Sequence, residues 1–208
     1  MELERIRQQL RKPQPLFIGE EQAFRSAVII PLIQKEDGWH ILFEVRSATM
    51  RKQPGDISFP GGKIDDTDAS IKDAAIRETE EELGVRREDI QILQELSPLI
   101  MSPSFVVYPV VAVIPDESHY RLNPDEVGST FTIPVDWLLS HEAYRHYVPV
   151  KLQPKDDFPY DKIARGRDYK WRSRDMEEWF YEYEGHTVWG LTARILRYVI
   201  EQLKKAEE

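Results

Sequence analysis

Apolar residues occur along this chain in two patterns. The first pattern is an unbroken or alternating apolar run, which predicts a β-strand. The runs SAVIIPLI (26–33) and WHILFEVR (39–46) predict two strands joined by a hairpin, because Asp37-Gly38 between them is a turn signal. Another hairpin is predicted at Glu184-Gly185, within EEWFYEYEGHTVWG. Three more strand-like runs lie between these hairpins: IQILQEL (90–96), SFVVYPVVAVIP (104–115) and TFTIPV (130–135).

The second pattern, with apolar residues three and four positions apart, predicts helices. Near the N-terminus it predicts a short amphipathic helix that ends before Pro13. A longer helix is predicted from about Ser70 to Leu83, and it ends at Gly84 because glycine best tolerates a left-handed cap. A short helix is predicted in DWLLSHEAYRH (136–146). The stripe of a closing helix consists of Leu191, Ile195, Leu196, Val199, Ile200 and Leu203.

Length and composition favour one globular domain. A chain of 208 residues with 41% hydrophobic and 31% charged residues is long enough for a sizeable core, and it is neither disordered nor fibrous in composition. We expect an N-terminal helix and lead-in at 1–24 and one domain at 25–208, in which the polar segment 148–176 matches no element. The chain contains no cysteine, which excludes disulfides, thiolate metal sites and a cysteine nucleophile.

The charge of the chain limits its partners. A net charge of −9 argues against general nucleic-acid binding, DNA included, although a polyanionic substrate is compatible with bridging metal ions. No apolar run approaches the roughly 20 residues of a membrane span. The charged N-terminus MELERIRQQLRK also lacks the apolar core of a signal peptide, so we expect a cytoplasmic protein without a membrane partner. The sequence leaves open whether the protein forms a homodimer.

The predicted helix 70–83 ends in the acidic run ETEEE, where the helix dipole disfavours negative charge. At about 100° per residue, Glu78, Glu81 and Glu82 lie within one arc of the helix, whereas Glu80 lies on the other side. The same arc contains Ile71, Ala74 and Ala75. We therefore predict that the three acids continue an inward-facing stripe and that Glu80 is solvated.

Three carboxylates at these spacings need a positive partner, because like charges on one helix face repel each other. Hard oxygen ligands suit Mg²⁺ or Mn²⁺, which keep several waters and accept phosphate oxygens at their remaining positions. We therefore predict that Glu78, Glu81 and Glu82 are metal ligands. A purely solvated acidic run is the alternative.

The residues around this helix carry a family signature. Gly61-Gly62 let the backbone approach a ligand closely, and Arg77 is able to pair with an acid of its own helix or of the neighbouring loop. The segment from Gly62 to Val85, ending in RETEEELGV, resembles the signature of the Nudix hydrolases. It departs from that signature where Asp68 replaces the usual glutamate, where the loop is one residue longer, and at Thr79, where an apolar residue is common. Asp68 is alternatively a turn or capping residue.

A second signature lies upstream, in LFEVRSATMRKQPGDISFPGG (42–62). It resembles the motif of the coenzyme A pyrophosphatase branch of the Nudix hydrolases, with Arg46, Arg51 and the run FPGG in place. Glu44 is a mismatch, since that branch usually has an apolar residue or threonine at this position. The resemblance continues to about Leu196 but leaves 141–180 unmatched.

This resemblance implies an α/β fold, a Nudix-type α/β/α sandwich with a mixed β-sheet in a single domain. It also implies a metal-dependent pyrophosphohydrolase, in which Mg²⁺ or Mn²⁺ on the three acids neutralises a diphosphate and activates a water for in-line attack. The implied substrate is a small-molecule diphosphate, coenzyme A or its thioesters. The implied products of coenzyme A are 4′-phosphopantetheine and adenosine 3′,5′-bisphosphate.

The resemblance also implies roles for neighbouring residues. Arg77, Glu78 and Glu81 are expected to act in catalysis together with Glu126 of the loop NPDEV, which is the expected base or water-orienting acid. For Glu126, an exposed turn acid is the alternative. The expected substrate-binding residues are Arg46, Arg51, Lys52, Gly61, Gly62 and Lys63, although Lys52 and Lys63 are alternatively ordinary solvated cations.

The unmatched segment contains a basic stretch, KIARGRDYKWRSR (162–174), with six basic residues against one acid. With Tyr169 and Trp171, it fits either an extra phosphate and a stacked base or a cationic loop packed on an acidic protein. Other substrates therefore stay open: another nucleoside diphosphate derivative, a nucleoside triphosphate or a 5′-phosphorylated RNA end. A catalytically silent Nudix-fold binding module is an alternative of a different class, which the acidic array disfavours.

Overall fold

The structure is a computed structural model that describes residues 3–10, 15 and 17–205. The chain divides after Leu138 into two units, each with its own internal contacts. The helices are α1 (Leu3–Leu10), α2 (Ile71–Leu83), α3 (Val135–Ser140) and α4 (Gly190–Lys205). The strands of the first unit are β1 (Phe24–Lys35), β2 (Gly38–Arg46), β3 (Ile57–Ser58), β4 (Gly61–Lys63), β5 (Gln91–Glu95), β6 (Leu99–Ser102), β7 (Phe105–Val113) and β8 (Val127–Pro134). Those of the second unit are β9 (Tyr144–Lys151), β10 (Ser173–Tyr183) and β11 (His186–Trp189).

The first unit is organised around one mixed sheet of eight strands. Its main order is β3-β2-β1-β7-β5, while β4, β6 and β8 pair with β1, β7 and β2 respectively. β1 and β7 run parallel, and the other pairs are antiparallel. Lys35 pairs with Gly38, which leaves Glu36 and Asp37 in the turn between β1 and β2. The predicted mixed sheet and its first hairpin are confirmed.

Both faces of the central strands are buried, as expected for nearly unbroken apolar runs. On one face, residues of α2 join residues of β1, β2 and β7 in one apolar cluster, which includes Ala27, Ile29, Leu42, Ala74, Ala75, Leu83 and Val110. On the other face, Phe43 stacks on Phe59 and on Phe131, with ring centroids 5.1 and 5.3 Å apart. The packing of α2 on this sheet holds its acidic end beside β2.

The bounds of α2 follow from its caps. Oγ of Ser70 accepts a 3.1 Å hydrogen bond from the N–H of Asp73 at the start of the helix. Gly84 adopts φ 67° at the end, and its N–H donates to the carbonyl oxygen of Glu80 at 2.9 Å. A Cβ on Gly84 would lie 2.8 Å from the backbone oxygen of Arg121. The predicted helix 70–83 and its terminal glycine are confirmed.

The second unit combines a three-stranded antiparallel sheet, in the order β11-β10-β9, with α4. Glu184 and Gly185 adopt φ 47° and 82° in the turn between β10 and β11, as the predicted hairpin requires. Four residues of the predicted stripe on α4 are buried, namely Ile195, Leu196, Val199 and Ile200. Leu203, at the end of the stripe, is exposed.

The structure differs from the predicted elements on both sides of Leu138. The predicted helix 136–146 is wrong beyond Ser140, because β9 begins at Tyr144, which pairs with Phe180 of β10. β9 and the start of β10 also occupy the two ends of 148–176, and β6 was not predicted. The partner of β9 is distant in the sequence, so local spacing does not reveal that strand. β6 instead pairs with the adjacent β7, with Ser102 opposite Phe105, and its four residues are too few for a clear alternation.

Two expectations concern the chain as a whole. The domain bounds 1–24 and 25–208 remain a prediction, and Pro13, predicted to end the first helix, lies outside the described residues. In the ranges that the structure describes, no helix is long and apolar enough to cross a membrane.

Candidate active site

The end of β2 directs polar residues toward α2. Side chains alternate along a strand, so Glu44 and Arg46 share the face of Leu42, which packs in the cluster with α2. Glu44 is only 1% exposed, and its Oε1 has no hydrogen-bond partner among the described residues. The same is true of Nε of Arg46. Buried polar atoms are nearly always hydrogen-bonded in proteins. The described residues contain four exceptions, and two of them, on Glu44 and Arg46, belong to neighbouring residues of one strand face and mark a candidate site.

α2 brings two acids to the same place. Glu82 is buried, and its Oε2 accepts a 2.7 Å hydrogen bond from the N–H of Gly61. Burial, followed by repulsion from Glu78 and Glu126, raises the pKa of Glu82 to about 8. The side chain of Glu78 is 16% exposed, and burial raises its pKa as well. Both carboxyl groups therefore hold their protons more tightly than an exposed glutamate does.

Glu126 reaches these acids from the loop before β8. The N–H of Asn123 donates to the carbonyl oxygen of Glu82 at 2.9 Å, and the N–H of Ser47 donates to that of Glu126 at 2.8 Å. This loop is therefore fastened both to the end of α2 and to the end of β2. The charge of Glu126 contributes to the raised pKa values of the other acids. We call Glu44, Glu78, Glu82 and Glu126 the carboxylate cluster.

Glu44 is the member of the cluster that the sequence analysis did not assign to the site. Burial, followed by repulsion from Glu82, raises its pKa well above the ordinary value. A signal was present in the sequence, because an acid stands between Phe43 and Val45 in a strand that is otherwise apolar. Its alternation with Leu42 places it on the inner face, where a single charged residue is unusual.

Glu81 occupies a different environment from Glu78 and Glu82. Its side chain is 54% exposed and lies 3.4 Å from Arg77. The prediction that Glu81 continues the inward-facing stripe is wrong, because the buried face of α2 centres on Thr79, which is fully buried. Two residues correspond to about 200° of rotation, so Glu81 lies away from that face. Its role as a metal ligand remains a prediction.

Glu80 lies on the side of α2 away from Glu78 and Glu82, as predicted. Its Oε1 accepts a 2.9 Å hydrogen bond from the N–H of Arg87, whose side chain in turn bonds to Asp73. Glu80 is half-buried rather than fully solvated, and it lies on the side of Asp73 as expected.

Arg77 supplies positive charge to the acids on both sides of it. Its Nε and Nη2 donate to the two carboxylate oxygens of Asp68 at 3.0 Å each, and its Nη1 donates to Glu78 at 2.8 Å. Arg77 was predicted to pair with an acid of its own helix or of the neighbouring loop, and in the structure it pairs with both. The hydrogen bonds from Arg77 hold the pKa of Asp68 below its ordinary value. Asp68 also accepts from the N–H of Asp65 at 2.8 Å, so it closes a turn as well.

The two glycines of β4 allow the backbone to lie against its neighbours. A Cβ on Gly61, which adopts φ 144°, would lie 2.3 Å from a carbonyl oxygen of β1. A Cβ on Gly62 would lie 2.3 Å from Oε2 of Glu78. Lys63 follows them, exposed, with its Nζ 2.7 Å from Asp65. The glycines therefore position two acids of the site, and their contact with a substrate remains a prediction, as does that of Lys63.

The remaining predicted cations are Arg46, at the end of β2, and Arg51 and Lys52, on the loop that follows. Gly55 donates its N–H to the carbonyl oxygen of Arg46 at 3.1 Å, and Arg46 donates its own to that of Asp56 at 2.9 Å. These bonds close the loop on Arg46. Arg51 and Lys52 are exposed on it. Substrate binding by these three cations remains a prediction.

The carboxylate cluster fits a divalent cation in its chemistry. Carboxylate oxygens are the ligands that Mg²⁺ and Mn²⁺ prefer, and Oε1 of Glu44 has no hydrogen-bond partner among the described residues. Within the described part of the chain, no three His, Asp or Glu side chains already stand in an arrangement that would hold a metal ion. In this conformation Glu78 contacts Arg77, and Glu82 contacts Gly61.

The basic stretch 162–174 lies in the second unit, and its aromatic residues pack on one another. Trp171 contacts Phe158 and Tyr169, with ring centroids 5.4 and 5.1 Å apart. The guanidinium of Arg167 lies 4.9 Å from the ring centroid of Tyr160. These contacts lie within 158–171, and Tyr169 remains exposed, so both interpretations of the basic stretch remain predictions.

Comparison with known proteins identifies the family. A family model described as "NUDIX domain" matches residues 23–161, across the division after Leu138, as expected for a single domain. The chain is 35% identical over 179 residues to "Uncharacterized Nudix hydrolase NudL" of Enterobacter sp. (strain 638), covering 86% of this chain and 82% of that protein. It is 33% identical over 196 residues to the protein of the same name from Photorhabdus laumondii subsp. laumondii, covering 94% of each.

Among solved structures, the chain is similar to the MutT/nudix family protein from Enterococcus faecalis, with a TM-score of 0.49 and 17% identity over 99% of this chain and 69% of that chain. The family match confirms the predicted Nudix fold and the predicted enzyme class, a Nudix pyrophosphatase. The chain therefore belongs to the Nudix hydrolase family.

Proposed function

We propose that this protein is a metal-dependent pyrophosphohydrolase that cleaves the diphosphate of coenzyme A or its thioesters. The observation that carries the proposal is the position of Arg46, whose charge acts on both Glu44 and Glu82. Arg46 belongs to the upstream motif, and its backbone hydrogen bonds close the loop that carries Arg51 and Lys52. The carboxylates that would bind a metal ion are therefore neighbours of the cationic side chains that would bind a diphosphate.

Nudix hydrolases generally use divalent metal ions such as Mg²⁺ or Mn²⁺. In this chain, Glu78 and Glu82 would hold such an ion, with Glu81 at the solvent edge. When bound, it supplies charge neutralisation for the diphosphate and lowers the pKa of a coordinated water. Nε of Arg46 has no partner among the described residues, and in this proposal the guanidinium of Arg46 binds a phosphate oxygen.

The other residues of the site orient these groups. Glu126 lies on a loop that is fastened at two points, which supports its proposed role of orienting an attacking water or accepting its proton. Arg77 keeps Glu78 and Asp68 in fixed orientations through its charge-assisted hydrogen bonds. The family resemblance of the upstream motif supports coenzyme A as the substrate among diphosphates.

The test is product formation by the purified protein with Mg²⁺ and then Mn²⁺. The substrates are coenzyme A, dephospho-coenzyme A, ADP-ribose and nucleoside triphosphates, and the products are separated by chromatography and identified by mass. We expect coenzyme A to give 4′-phosphopantetheine and adenosine 3′,5′-bisphosphate, and dephospho-coenzyme A to react more slowly. Cleavage of another diphosphate with coenzyme A left intact would contradict the substrate assignment. Binding without cleavage of any of them would indicate a silent binding module.

A further inference from the structure

Glu44 is a buried acid on a strand, whereas the predicted metal ligands all lie on α2. Its side chain is 1% exposed and shares the inner face of β2 with Leu42 and Arg46. Its Oε1 accepts no hydrogen bond from any described residue. An ionised carboxylate in such a place is strongly unfavourable unless a positive charge lies against it.

The charges that act on Glu44 do not provide this compensation. Glu82 and Glu126 repel it, and Arg46 is the cation whose charge favours its ionised form. Arg46 Nε and Glu44 Oε1 are both without hydrogen-bond partners in the described part of the chain, so this pair is not a direct salt bridge through those atoms. The single positive charge of Arg46 is therefore set against three acids, Glu44, Glu82 and Glu126.

A proton alone does not satisfy the geometry. A protonated carboxyl group still needs an acceptor for its hydroxyl and a donor for its carbonyl oxygen. Because Oε1 has neither among the described residues, one of these needs stays unmet whichever oxygen holds the proton. A cation bound at Oε1 satisfies this atom and also offsets the repulsion from Glu82 and Glu126.

We propose that Glu44 is a further ligand of the divalent cation held by Glu78 and Glu82, so that β2 and α2 bind the metal together. This inference rests on the metal dependence in the proposed function, and it assigns a role to a position where the related motif usually has an apolar residue or threonine. Glu44 then belongs to the metal site rather than to the apolar core.

The test measures Mn²⁺ binding to the metal-free protein by electron paramagnetic resonance of free Mn²⁺. Glu44→Gln keeps the shape of the side chain and removes its charge, while Glu80→Gln removes the same charge from the far side of α2. We expect Glu44→Gln to weaken Mn²⁺ binding at least about ten-fold and Glu80→Gln to change it by less than about two-fold. The Mn²⁺-induced rise in melting temperature should be reduced in Glu44→Gln alone. Mn²⁺ affinity of Glu44→Gln equal to that of the wild type would overturn the inference, and so would a wild-type protein that binds no Mn²⁺.

Circular dichroism and thermal unfolding verify that the variants fold. If Glu44→Gln does not fold, Glu44→Thr replaces it, because threonine is a residue that the related motif accepts, and the same loss is expected. Coenzyme A cleavage is measured separately, so the two proposals fail separately. Mn²⁺ binding that depends on Glu44, without coenzyme A cleavage, would uphold the inference and contradict the proposed substrate. Coenzyme A cleavage with unchanged Mn²⁺ affinity in Glu44→Gln would do the reverse.

Discussion

The N–H of Gly61 donates a 2.7 Å hydrogen bond to Oε2 of Glu82, which is 6% exposed. A backbone group of β4 thus holds a buried acid at the end of α2. The contact depends on glycine, because a Cβ on Gly61 would lie 2.3 Å from the oxygen of Ala27 and 2.6 Å from Cα of Val28. Both of these are backbone atoms of β1, which cannot rotate away.

We expect Gly61→Ala to lower the free energy of unfolding by about 1 to 3 kcal/mol, because φ 144° is strained for alanine and the Cβ meets backbone atoms. Urea unfolding followed by circular dichroism measures the change. Gly128→Ala is the matched control, since its Cβ would lie 3.4 Å from the nearest atom, and we expect a change within about 0.5 kcal/mol. Equal stabilities of the two variants would contradict the role of Gly61.

The raised pKa of Glu82 predicts how the stability of the metal-free protein depends on pH. Its pKa is about 8 in the folded state, against an ordinary value of 4.5. The folded state therefore binds this proton more tightly than the unfolded state, so its stabilising effect is complete below pH 4.5 and is lost as the pH rises toward 8. The limiting slope for one group is about 1.4 kcal/mol per pH unit.

Glu82→Gln removes this titration while its side-chain oxygen still accepts from Gly61. We therefore expect the free energy of unfolding of the variant, measured with EDTA across this pH range, to increase relative to that of the wild type as the pH rises. Parallel pH curves for the two proteins would show that Glu82 does not titrate in this way.

Because the guanidinium of Arg77 donates to two acids at once, we predict that lysine cannot replace this arginine. The three N–H donors of lysine are on one nitrogen, so they cannot reproduce the three separate positions of Nε, Nη1 and Nη2 from which Arg77 donates to Asp68 and Glu78. We expect Arg77→Lys to lower the free energy of unfolding by about 1 to 3 kcal/mol and to reduce turnover as well. Arg86→Lys is the matched control, because Arg86 pairs with Asp89 at the surface with 70% of its side chain exposed. Its expected change is below about 1 kcal/mol, and an equal loss in both variants would contradict the role of Arg77.

The exposure of Glu81 predicts a variant that loses activity without losing stability. Because 54% of its side chain is exposed, Glu81→Gln should unfold at the wild-type temperature. If Glu81 binds the catalytic metal, turnover falls at least about 100-fold. Steady-state kinetics and differential scanning calorimetry measure the two effects, with Glu80→Gln as the control that keeps both. A binding module would instead keep its ligand affinity in Glu81→Gln, and wild-type turnover in that variant would contradict the metal assignment.

Local sequence patterns identified the elements whose ends are defined by neighbouring residues. Ser70 and Gly84 delimit α2 by capping interactions within a few residues, and Glu184-Gly185 forms a turn between adjacent strands. Both types of signal act over short distances in the chain. The segment 144–146 was predicted as helix because its pairing with β10 lies more than thirty residues away, as shown by Tyr144 opposite Phe180.

The sequence by itself determined that Glu78, Glu81 and Glu82 share one helix beside Arg77, because helical rotation and capping depend on residues close together in the chain. Only the tertiary structure decided which of these acids is buried, since the side of α2 that faces the sheet depends on packing with β1 and β2. It also decided that Glu126 joins them, through hydrogen bonds that fasten the loop before β8 to the ends of β2 and α2. Glu44 joins them because β2 belongs to the sheet on which α2 packs. Burial and long-range pairing set the charge environment of these carboxyl groups, and neither is encoded in the spacing of a single segment.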